Sequence, residues 1–155
     1  MSHDLIPTAR RLARYGGPRR PRQADLRRAV STAYYAMFHT LAQDCADRLI
    51  GTGPRRSNPA WSQVYRALDH GFAKHACGRV STLGFPHGID TFANAFERLQ
   101  GERHRADYDP DARFGRAEVL LMIAEANYAI EQLRACGKQD RTAFAALVLL
   151  KRRNH

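Results

Sequence analysis

The sequence predicts an all-α protein, an up-and-down bundle of about five to six helices. Two observations carry that prediction. Apolar residues recur in steps of three and four along nearly the whole chain, and the breaks in this rhythm fall at glycine and proline clusters. A third observation excludes the alternatives: no stretch of any length alternates as a half-buried strand does, and there is no internal repeat or low-complexity tract. With 155 residues the chain suits one domain, residues 1–155, large enough to bury a core without metal or disulfide staples.

Taken in order, a first short helix is expected from about Asp4 to Tyr15, ended by Gly16-Gly17-Pro18. Residues 1–22 thus read as a basic helix and linker. A long second helix spans about Ala24 to Ile50, with Leu26, Val30, Tyr34, Met37, Leu41, Cys45 and Leu49 on one stripe. After a loop, Ser57-Asn58-Pro59 offers a capping side chain and a first-turn proline. They open a third helix, about Pro59 to Cys77, carrying Trp61, Val64, Tyr65, Leu68 and Phe72. A fourth helix is expected from about Ile89 to Arg103 and a fifth from about Arg116 to Cys136, stopped by Gly137. Residues 138–155 make a last helix, about Asp140 to Arg152, and a basic tail.

The charge is unusual. Twenty-five lysines and arginines face 15 acidic residues, a net charge of +10. Such a field attracts phosphate backbones, although an arginine-rich solvated surface gives the same composition. No apolar run nears the ~20 residues a membrane span needs, and neither a secretory nor a twin-arginine export signal is legible. Three scattered cysteines, Cys45, Cys77 and Cys136, read as reduced thiols, so a cytoplasmic protein is expected. His70 and His75 are five apart rather than four, no phosphate-binding glycine loop or Ser-His-Asp signature is present, and no metal or cofactor is expected. His70 reads as a helix-end or core histidine, and Trp61, Phe72, Phe92 and Phe96 as core.

Two constellations stand out. On the fourth helix the apolar face Phe92, Phe96, Leu99 continues into Arg103, and an inward arginine must find acceptors. Asp107 and Tyr108 are the nearest. Arg103 and Asp107 either pin the following turn or form a phosphate-binding or catalytic knot with His104, Arg105 and Tyr108. On the second helix, Arg28, Thr32, Tyr35 and His39 are spaced four, three and four, opposite the apolar stripe. This row of cation, hydroxyl, aromatic and imidazole suits RNA contact or a dimer interface, or packs on another helix of the same chain.

The run Arg28-Ala29-Val30-Ser31-Thr32-Ala33-Tyr34-Tyr35-Ala36-Met37-Phe38-His39 resembles the tyrosine-pair helix of HEPN-family proteins. Arg103-His104-Arg105-Ala106-Asp107-Tyr108 resembles the second signature of the same subgroup, and Trp61 to His70 is similar to a segment of bacterial HEPN proteins. The likeness spans about Leu5 to Leu133. It implies a helical bundle that pairs into a homodimer. It also implies a metal-independent ribonuclease site in active members, built from an arginine, a polar neighbour and a histidine a few positions on. The arginine maps to Arg103 and the polar residue to His104, while the histidine position falls on or near Tyr108. A tyrosine with a pKa near ~10 is a poor general base at neutral pH. The expected site is therefore degenerate, with His104 as the substitute imidazole. A rival register pairs Arg98 with His104.

The expectation is a protein that binds RNA or a partner protein in a toxin-antitoxin, defence or stress context. Arg28, Tyr35, His39, Arg103 and Arg105 form its nucleic-acid face, and Asp107 is a structural partner. Two alternatives stand beside it: an active metal-independent endoribonuclease, and a protein-only module paired with a nucleotidyltransferase.

Overall fold

The structure, a computed structural model, describes the backbone of residues 2–154 and the side chains of residues 4–154. Among these residues there are seven α-helices and no strand. They are α1 (Ser2–Arg14), α2 (Gln23–Leu49), α3 (Asn58–Ala67), α4 (His70–Cys77), α5 (His87–Tyr108), α6 (Arg116–Ala135) and α7 (Lys138–Leu149). A single 3₁₀ turn, Val80–Thr82, lies between α4 and α5. No described helix is long and apolar enough to cross a membrane.

The all-α bundle forms as the periodicity predicts, but the helix count is higher, because the expected third helix is two. Leu68 takes an extended backbone (φ −65°, ψ 120°), and Asp69 caps the next helix, its carboxylate accepting from the Phe72 N–H at 2.8 Å. The break turns the expected apolar stripe apart. Leu68 and Ala73 are buried, whereas Trp61 and Phe72, expected in the core, are only half-buried. Phe92 and Phe96 are core as expected.

The second correction is at α5, which runs to Tyr108 rather than stopping at Arg103. Ala106 extends the buried stripe one turn further, and Asp107 pairs back to Arg103 at i,i+4, which supports the helix. Pro110 then forces the preceding residue out of the helical region, and Asp109 is extended (φ −96°, ψ 106°). The last helix is shorter than expected and ends before the Lys151-Arg152-Arg153 tail.

Helix α2 is the axis of the bundle, packing against α1, α3, α5, α6 and α7. That position explains its composition. Besides Leu26, Val30, Tyr34, Met37, Leu41 and Cys45, the alanines 29, 33, 36, 42 and 46 are buried, so more than one face meets a neighbour. A charged joint ties α2 to α7: buried Asp44 accepts from Arg141, with Arg48 Nε 3.8 Å away.

Two arginines hold the turns at one end of the bundle. Arg27 of α2 donates to the carbonyls of Ala106 (2.9 Å) and Asp109 (2.8 Å), and also to those of Pro110 and Ala112. Arg116 at the start of α6 donates to the carbonyls of Ala13, Tyr15, Gly17 and Arg19. Gly16 and Gly17 make that second turn possible, with φ of +89° and +57°.

Candidate functional site

The site forms where α2, α4 and α5 meet. Tyr34 and Tyr35 are neighbours on α2 and so point about 100° apart. Tyr34 goes into the core and is fully buried; Tyr35 lies at its rim. Arg103 of α5 reaches across to both. Its Nη2 donates to the Tyr35 hydroxyl at 2.7 Å, and the guanidinium carbon lies 5.3 Å from the Tyr35 ring centre and 5.8 Å from that of Tyr34. Its Nε stands 2.9 Å from the Asp107 carboxylate, an ion pair whose N–H is not aligned for a hydrogen bond. Asp107 also accepts from the Ser31 hydroxyl at 3.4 Å. The inward arginine thus finds the acceptor its position demands, plus a tyrosine.

An imidazole that the motif spacing does not indicate completes the cluster. His70, the first residue of α4, stacks on Phe38 with ring centres 4.0 Å apart. Its Nδ1 is 2.7 Å from the Tyr34 hydroxyl, which in turn reaches Gln100 Oε1 at 3.4 Å. If the tyrosine donates to Gln100, Nδ1–H donates to the tyrosine and Nε2 carries the lone pair. Partial burial lowers the His70 pKa, and the Arg103 charge lowers it further, favouring the neutral ring. Burial raises the pKa of Tyr34, which stays a phenol.

From Arg103 a cation–aromatic ladder runs outward over α2 and α3. Tyr35 stacks with His39 at 6.0 Å, His39 with Tyr65 at 6.1 Å, and Tyr65 with Trp61 at 5.2 Å. Arg56 closes the far end, 4.5 Å above the indole. The rungs are pinned: Tyr65 hydroxyl to His39 Nδ1 at 2.7 Å, and the indole N–H to Asp47 at 2.9 Å. Burial lowers the His39 pKa and raises that of Tyr65. Tyr35 and His39 therefore pack within the chain, as one reading of the α2 row expected.

The other sequence-selected residues are dispersed by the helical turn. His104 follows Arg103 and so diverges from it; it is exposed, and its ring meets Tyr108 at 4.8 Å. Tyr108 is 63% exposed at the end of α5, 5.9 Å from the Arg103 guanidinium. Arg105 turns to the other side, donating to Glu102 at 2.7 Å and lying over Phe114 at 4.8 Å. Arg28 is exposed one turn before Thr32, whose hydroxyl donates back to its carbonyl. Arg98 pairs with Glu125 of α6, away from His104.

His70 is at a helix end, as one sequence reading had it, but its place in the cluster was not legible because its partner Tyr34 lies 36 positions earlier, on another helix. The available signal was local: Asp69 before Gly71 and Phe72 is a helix cap, and a histidine just after a cap sits at a bundle end. Compared with known protein families, curated proteins and solved structures, the chain gives no match.

Proposed function

We propose that the chain binds single-stranded RNA across the α2–α4–α5 face. The observation that carries this reading is the setting of Arg103. Tyr35 and Asp107 hold its guanidinium in place, while Nη1 has no acceptor among the described residues. A guanidinium fixed on one edge and open on the other is a phosphate receptor with little entropy left to lose. Elsewhere on α2, α3, α4 and the turn after α4, Arg28, Arg66, Lys74 and Arg79 have no side-chain partner among the described residues, whereas most carboxylates are used within the chain. The ladder spends its ring faces internally, so phosphate contact rather than base stacking leads. The test is a salt titration of affinity for mixed-sequence single-stranded RNA. Arg103→Ala is expected to weaken binding about tenfold or more, and an unchanged affinity would remove Arg103 from the interface.

A second reading is metal-independent RNA cleavage, favoured by His70. A neutral imidazole beside a fixed guanidinium matches transesterification: Nε2 takes the 2′-hydroxyl proton, the 2′-oxygen bonds phosphorus as the P–O5′ bond breaks, and the leaving 5′-oxygen takes a proton from water. In this version His70, not His104, is the base. Incubation with RNA in EDTA should then give 2′,3′-cyclic phosphate ends, lost in both Arg103→Ala and His70→Gln. The HEPN resemblance, the cytoplasmic toxin-antitoxin, defence or stress setting, pairing with a second copy and association with a nucleotidyltransferase belong to the same proposal. For the second copy, the contact surface is the exposed stripe Ala117, Leu121, Ala124 and Tyr128 of α6, where Leu121 is 72% and Tyr128 53% exposed.

A further inference from the structure

Beside His70, the groove between α4 and α5 has a composition the Arg103 cluster does not account for. It encloses about 360 Å³ and is lined by Gly71, Lys74, His75, Gly78, Arg79 and Glu97. Gly71, Lys74, His75 and Gly78 recur in steps of three, one and three, so they share one face of α4. Lys74 and Arg79 have no side-chain partner among the described residues. Glu97 is the single carboxylate, leaning over Gly78, where an added Cβ would lie 3.4 Å from its Oε2.

On the α5 wall the same face continues. Glu97, Gly101, His104 and Tyr108 follow in steps of four, three and four. Gly101 sits inside a 22-residue helix, where glycine is among the poorest residues. Its own chain gives no reason for it, because a Cβ there would meet nothing within 4 Å. A Cβ at Gly71 would meet only Asp69, at 3.6 Å. Gly71 and Gly78 therefore leave the α4 side of the groove as exposed backbone, edged by the unpaired cations Lys74 and Arg79, and Gly101 lies on the α5 face that continues from Glu97. Bare backbone beside cations lets a charged strand approach closely.

We propose that this groove is a phosphodiester track, carrying the strand that flanks the nucleotide held at Arg103. This rests on the nucleic-acid reading of the Arg103 face. The path from Glu97 to Tyr108 is about 16 Å by helical rise. That accommodates about five nucleotides at the ~3.4 Å spacing of a stacked strand. Lys74 and Arg79 outweigh Glu97, so the net charge matches a polyanion.

The test is fluorescence anisotropy with labelled ten-nucleotide oligouridylate and its deoxythymidylate counterpart, at several salt concentrations. The proteins are the wild type, Lys74→Ala/Arg79→Ala, Gly101→Leu, Glu97→Gln and Arg103→Ala. The double variant should bind about tenfold more weakly, with a log–log salt slope smaller by about 1.4, two phosphates at ~0.7 each. Gly101→Leu should bind more weakly while its thermal midpoint stays level or rises, since leucine is the better helix former. Glu97→Gln should bind more tightly. Equal affinity for both strands assigns the track to the shared backbone, and a preference for RNA assigns it to 2′-hydroxyl contacts; both support it. Wild-type affinity in the double variant and in Gly101→Leu, with Arg103→Ala weakened, overturns the track and leaves the Arg103 face standing. No binding by the wild type overturns both.

Discussion

The Tyr35 hydroxyl accepts a hydrogen bond from Arg103 Nη2 at 2.7 Å, across 68 positions of chain. It joins the two segments that the sequence singles out separately, the α2 row and the end of α5. The bond is part of the architecture as well as of the site, because Arg103 is only 16% exposed at its side chain and cannot replace the acceptor with bulk water.

Tyr35→Phe is therefore expected to lower stability by about 1–2 kcal/mol, the cost of stranding a charged donor. Urea denaturation followed by circular dichroism reads this directly. Arg103→Lys should fall short as well, because an ammonium cannot serve Tyr35 and Asp107 with one planar fork. A fully stable Tyr35→Phe protein would show that the bond only positions the guanidinium.

Asp44 predicts a larger effect. Its side chain is 7% exposed, with Arg141 at 17% and Arg48 at 13% on either side. Asp44→Ala leaves two cations near the interior and should cost about 3–5 kcal/mol. The loss should appear as a lower denaturation midpoint, with α7 exchanging its amide hydrogens earliest. Equal protection of α7 in the variant and the wild type would count against the joint.

His39 and His70 set the acid side of the stability curve. Burial holds both pKa values below the ordinary histidine value in the folded chain. The unfolded chain then binds more protons wherever the two states differ, so stability rises with pH there. The contribution is complete above about pH 6.5, the unfolded value. It is lost as pH falls from there through the folded values. Thermal melts between pH 7.5 and 5 should show the decline, and a His39→Gln/His70→Gln protein should show a flatter one.

The α6 stripe yields a test of pairing. Analytical ultracentrifugation at tens of micromolar should find a dimer for the wild type. Leu121→Glu/Tyr128→Glu should be a monomer with unchanged helicity, since both side chains are exposed in the single chain. A monomeric wild type would dismiss this surface as a contact between copies.

Most helices were legible because their cores obey one rule. Phe92, Phe96 and Leu99, or Val119, Ile123, Ala126, Ile130 and Leu133, are spaced for one face and are buried together. The break at Leu68 and Asp69 was less visible, because Leu68 continues the apolar rhythm across it. The extended backbone at Leu68 and the bond from Phe72 N–H to the Asp69 carboxylate show that a new helix has begun. Arg103 with Asp107 was legible since both lie on one helix, four apart. The Tyr34–His70 contact, the ladder through Tyr65 and Trp61, and the Asp44–Arg141 joint were not. Each needs the docking of separate helices, which periodicity along one helix does not encode.

The hydrogen bonds of Arg27 and Arg116 go to main-chain oxygens, four apiece, in the segments around residues 106–112 and 13–19. Every amino acid supplies such an oxygen. Apart from Gly16, Gly17 and Pro110, whose backbones the turns require, these segments are therefore free to drift in side-chain identity over evolutionary time while keeping their shape. The burden of inheritance falls on two guanidinium groups far away in the chain. Relatives of this protein should keep those arginines and the two glycines, and vary the other residues of the turns they hold.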